Sequence, residues 1–144
     1  VDVNVSELPL FHFTASNFHS LSPIINGMND FGYQKLDVYQ CSMEFLAAAS
    51  QLNDSLPKGF AHLGDQLRRA SLSVPLNIAE GSGKCSLLER RRFFEIARGS
   101  ALECSAIIDC AKALNLADPS LLEAHRSLVL RIVQMLSKLS AKPR

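Results

Sequence analysis

No apolar run in this sequence approaches the ~20 residues that a membrane-spanning helix needs. Nor does a basic stretch followed by an apolar one mark a secretory leader. Cytoplasmic residence, away from membranes, is the resulting expectation. Tryptophan is absent and the formal net charge is only +1. That is far from the strong positive field of an obligate nucleic-acid binder. The four cysteines, Cys41, Cys85, Cys104 and Cys110, form no C-x-x-C pair, and no histidine stands at zinc-ligand spacing to them. No metal and no cofactor are expected. Cys41, Cys104 and Cys110 fall in helical patterns and read as small core residues in a reducing compartment. A nucleophile–base pair and a phosphate-binding loop are also missing, so no catalytic activity is expected.

What is present suits one globular domain. The chain is 47% hydrophobic and 20% charged over 144 residues, enough to bury a core. Residues 1–36 carry one lysine against three acids, and the remainder is mildly basic. The opening stretch mixes a short alternating "VDVNV" with aromatics, Pro23 and Gly27, and no long helix fits it. The expected division is an irregular or partly disordered extension over 1–34 and a helical domain over 35–141.

From Asp37 onward apolar residues recur at steps of three and four. Val38, Cys41, Phe45, Ala48 and Leu52 predict a first helix, stopped by Pro57 and Gly59. Leu63, Leu67, Ala70, Val74, Asn77 and Gly81 predict a second. A third opens on Ser86-x-x-Glu89, a capping-box pattern, with Phe93, Ala97, Ser100, Cys104, Ile107 and Ala111 inward. A fourth opens on Asp118-Pro119, with Leu121, His125, Leu128, Ile132, Met135 and Leu139 inward. Short connections make consecutive helices antiparallel. The expected fold is all-α, an up-down-up-down four-helix bundle. The fourth helix carries a second apolar row that includes Leu122 and Val129. One bundle core needs one stripe, so the doubled stripe implies a very broad inner face or a second face buried against another subunit, and in the second case Leu122 and Val129 are the candidate oligomer interface.

The stretch "SVPLNIAEGSGK" places a proline inside the second helix. Pro75 removes the bond to the Ser71 carbonyl, so a kink is expected and another donor is needed. Asn77 can supply it, and Glu80 can accept from Asn77 or from an arginine such as Arg92. Pro75, Asn77, Glu80 and Arg92 are the candidate structural lock. Gly83, free to adopt the left-handed conformation, ends the helix.

"QLRRASLSVPLNIAEGSGK" followed by "SLLERRRFFEIARGSALEC" resembles the four-helix bundle family of the 23S rRNA intervening-sequence protein. Gln66 to Ala70, Ser73 to Gly81, and Glu89, Arg92, Phe93, Ile96, Ala97, Gly99 and Ser100 carry the resemblance, over roughly residues 35–140. His62 and Gly64 depart from the family pattern. The resemblance implies a small, bacterial, non-catalytic subunit that assembles into a homo-oligomeric ring, often a pentamer. It also implies kinship with the accessory protein of diversity-generating retroelements, which binds nucleic acid and a reverse transcriptase. RNA or DNA, and a protein such as a reverse transcriptase, are therefore the expected partners.

Arg68, Arg69, Arg91 and Arg98 sit on the two helices joined by the Gly-Ser-Gly-Lys-Cys turn. They are the candidate nucleic-acid-binding residues, with affinity from counterion release. The alternative is a set of solvated helix-surface pairs on a purely protein-binding scaffold.

Overall fold

The protein is described by a computed structural model over residues 31–141. The extension expected over 1–34 lies outside the described residues except at its end, where Gly32–Lys35 forms a 3-10 turn. Four helices follow: α1 (Asp37–Ser55), α2 (Ala61–Ser82), α3 (Leu87–Ala113) and α4 (Pro119–Ser140). Each packs on the next, and α4 closes on α1. The fold is the expected antiparallel four-helix bundle, and the described residues contain no strand.

Local chemistry sets the helix ends. Asp37 is the first helical residue rather than the cap, so its carboxylate sits in the first turn, near the positive end of α1. Ser86 Oγ accepts from the Glu89 N–H at the start of α3. α3 stops where Asn115 takes a positive φ of 52° and the Leu116 N–H reaches back to the Ala111 carbonyl at 2.9 Å. Asp118 caps α4, accepting from the N–H groups of Ser120 at 2.8 Å and Leu121 at 3.3 Å. Bonds from the Ser120 hydroxyl and these N–H groups hold its carboxyl below the usual carboxylate range.

The core is a single, mainly aliphatic cluster that holds two aromatics, Phe45 and Phe94. Phe45, Val74, Ile78, Ala97, Cys104, Ile132 and Leu136 are all at 0% exposure. Burying each large member stabilises by about 1.5–3 kcal/mol. Four positions in the expected stripes shift by one residue. In α1 Ala49 is buried and Ala48 only half-buried, and in α2 Ile78 takes the core place expected for Asn77. In α3 Phe94 and Ala101 are buried, while Phe93 and Ser100 stand at the border with α2.

The largest correction falls on α4. Leu122 and Val129 are 1% and 2% exposed within the chain's own bundle, so they are not an outer interface. Leu121 and Leu139, expected inside, are about two-fifths exposed. Packing instead draws both rows inward as one broad face, with Leu122, Val129 and Leu136 of one row and His125 and Ile132 of the other buried. His125 does lie inward. Its ring nitrogens meet the Leu121 carbonyl at 2.6 Å and the Ala48 carbonyl at 2.9 Å, tying α4 to α1. Cys110 is exposed, whereas Cys41 and Cys104 belong to the core.

Candidate nucleic-acid interface

The α2–α3 hairpin carries most of the distinctive sequence, and its seam is narrow because of Gly81. A Cβ at Gly81 would stand 2.9 Å from the Phe93 Cβ and 3.0 Å from the Phe94 ring. Any side chain there forces the helices apart. Beside it, the Ser73 and Ser100 hydroxyls meet across the seam at 2.8 Å. Farther along, Gln66 on α2 donates to Glu103 on α3.

α2 stays helical on both sides of Pro75. Asn77 donates to the Ser73 carbonyl at 2.8 Å and to the Ser73 hydroxyl at 3.1 Å. It therefore braces the turn that contains the proline, but does not reach the Ser71 carbonyl that Pro75 leaves open. The amide is half-buried and has a closer acceptor one turn below it. Glu80 and Arg92 do not complete the expected lock. Glu80 faces outward and pairs with Lys84 at 3.2 Å, and Arg92 is exposed. Gly83 ends the helix at φ −79°, an ordinary right-handed value, so its left-handed freedom is unused.

The four candidate arginines do not form one patch. Arg68 and Arg69 lie on the outward face of α2, where Arg68 pairs with Asp65 at 2.7 Å and Arg69 donates to Gln66 at 2.7 Å. Arg91 points along the opposite flank of α3, donating to the Ala141 carbonyl at the end of α4 at 3.0 Å. Arg98, two helical turns on, shares the flank of Arg91. Because Gly81 sits against Phe93, Arg91 is on the order of 20 Å along the bundle axis from Arg69.

A different set lies near the α2–α3 turn. Lys84 stands 4.8 Å over the Phe93 ring, and Arg90 donates to the Lys84 carbonyl at 3.0 Å. Arg90 also has an enclosed Nε with no protein partner. Arg91 and Arg92 line an open groove with Leu88, Glu89, Glu95 and Ser140. The three consecutive arginines are spread around α3, so Arg90 faces Lys84 at the turn while Arg91 and Arg92 face the groove toward the end of α4.

One asparagine escaped the sequence reading altogether. The Asn53 carboxamide, in the orientation that satisfies both its ends, donates to the Gly64 carbonyl at 3.1 Å and accepts from Arg68 at 2.7 Å. A Cβ at Gly64 would fall 1.9 Å from the Asn53 amide, which explains a glycine in the first turn of α2.

No group of three His, Cys, Asp or Glu among the described residues is placed to hold a metal ion. No described helix is long and apolar enough to cross a membrane. The molecule is thus of the class of small antiparallel four-helix bundles whose distinguishing marks are a tight glycine–serine seam and a basic hairpin turn. The profile of the 23S rRNA-intervening sequence protein family matches residues 34–138, and the chain belongs to that family. No curated protein matches it.

Proposed function

We propose that this chain is a non-catalytic accessory module that contacts structured RNA or DNA through the basic end of its α2–α3 hairpin, with that surface repeated in a homo-oligomer. The observation that carries the reading is that Lys84, Arg90, Arg91 and Arg92 all lie at the α2–α3 end of the bundle, Arg90 bonded to the Lys84 carbonyl and Arg91 and Arg92 lining one groove. The rRNA link in the family's name supports it. A patch of three or four cations engages few phosphates, so one copy binds weakly and repetition supplies avidity.

The test is a titration of structured RNA and duplex DNA at low and near-physiological salt. Wild type should weaken with salt with a logarithmic slope of about −0.9 per duplex phosphate neutralised. Arg91→Ser with Arg92→Ser should lower affinity and flatten the slope, whereas Arg68→Ser alone should leave both unchanged. Absence of wild-type binding at low salt would overturn the reading. The protein-binding scaffold then stands, favoured by the exposed leucines Leu72 and Leu76 of α2.

A further inference from the structure

α2 turns one face outward along its whole length. Asp65, Arg69, Leu72, Leu76 and Glu80 lie on it, with Lys84 one turn beyond. Steps of four, three, four and four residues keep the five helical residues on one side, and the Glu80 ion pair at 3.2 Å holds Lys84 beside them. Leu72 and Leu76 stand 45% and 59% exposed at the centre of the face. The outward side of α4, by contrast, carries Ser127, Arg131, Gln134 and Lys138, with the exposed Leu130 at its edge.

The order of charges along this face is negative, positive, apolar, apolar, negative, positive. A half-turn about the point between Leu72 and Leu76 reverses the order and sets every charge against its opposite. Arg69 then meets the partner's Glu80, Asp65 meets the partner's Lys84, and Leu72 packs on the partner's Leu76. We propose that the outward face of α2 is a twofold docking surface for a second copy of this chain, with the two α2 helices antiparallel.

Within one copy these groups are held mostly by surface contacts, though Lys84 also stands over the Phe93 ring. Asp65 pairs with Arg68, Arg69 with Gln66, and Glu80 with Lys84. Exposed pairs of this kind contribute little, so exchanging them across an interface is cheap, and removing two leucines from water supplies the drive. A twofold contact is self-complementary and closes on itself, whereas a ring of odd number needs a head-to-tail surface elsewhere. The inference rests on the proposed function only in requiring more than one copy, and it is independent of nucleic acid.

Sedimentation equilibrium of the full chain over a range of concentrations tests it. The variants are Arg69→Glu, Glu80→Arg, the two combined, and Leu72→Ser with Leu76→Ser, with helical content checked by circular dichroism. Each single charge reversal should weaken self-association by about tenfold or more, because like charges then face each other. The combined reversal should restore it to within about threefold of wild type, which a loss of folding or solubility would not do. The leucine pair should weaken it without rescue by either reversal. If wild type is a single chain at every concentration, this surface and the assembly half of the proposed function both fall, and the basic turn remains to be judged by its own titration. If wild type assembles but none of the variants changes its mass, assembly survives and this surface is wrong.

Discussion

Along the α2–α3 seam, contact is made by small and polar groups: Gly81 against Phe93 and Phe94, and the Ser73 hydroxyl against that of Ser100. α4 meets the rest of the bundle through Leu122, Val129, Ile132 and Leu136, all 2% exposed or less, with His125 as a polar insertion. The seam gains its specificity from closeness, and α4 from volume. A seam of that kind tolerates nothing added. An aliphatic face tolerates aliphatic exchange but neither charge nor truncation.

The difference is broken most severely by placing charge on α4's inner row. Leu122→Lys buries an ammonium without a partner and should cost about 4 kcal/mol or more, enough to unfold a marginal domain. Leu130→Lys, at a position 56% exposed, should stay within about 0.5 kcal/mol. Urea denaturation of both measures the contrast, and similar midpoints would mean that α4's inner row has been misplaced.

On the seam the decisive change is an addition. Gly81→Leu should cost about 1–3 kcal/mol by overpacking. Gly99→Ala is its control: a Cβ there meets nothing within 4 Å. Relieved of a mid-helix glycine, the chain should gain up to about 1 kcal/mol. A gain at Gly81, or a loss at Gly99 in the isolated chain, would contradict the geometry.

Asn77→Leu sharpens the comparison at smaller scale. It removes bonds to Ser73 that brace the proline turn, and stability should fall by about 1 kcal/mol. An unchanged midpoint would show the brace to be idle.

The smallest effect concerns chemistry rather than folding. Burial pushes the Cys104 thiol up to about 12 from an ordinary 9.0 and raises that of Cys41 as well. At pH 8 an alkylating reagent should modify Cys85 and Cys110 in the native protein, and all four thiols after denaturation. The sign for stability follows. Between pH ~9 and about 12 the unfolded chain releases the Cys104 proton and the folded chain keeps it, so stability falls as pH rises through that window. Rapid native modification of Cys104 would mean that the core opens readily.

How far these features could be read from sequence follows the same division. The four helices and their ends were legible because caps, prolines and turns leave specific residues at specific places, such as Ser86, Asp118 and Pro119. The α2–α3 hairpin was legible through its motif. The width of α4's inner face was not, since two adjacent apolar rows fit either one broad buried face or one buried and one outward face, and only packing on α1 and α3 decides which. The basic site was half legible. Spacing places arginines on helices, but which flank of α3 faces α4 is a property of packing, and it separates Arg91 from Arg69.

The Asn53 bridge changes what the Leu56–Phe60 connection has to accomplish. With the end of α1 already fastened to the Gly64 carbonyl and to Arg68, the intervening loop is not what sets the angle between α1 and α2. It only spans a gap whose two rims are fixed. Doubling the length of such a loop costs about 0.6 kcal/mol in closure entropy. The stretch between Leu56 and Phe60 is therefore the place where this bundle can be opened to accept an inserted peptide, a reporter group or a new pair of termini while its core stays whole.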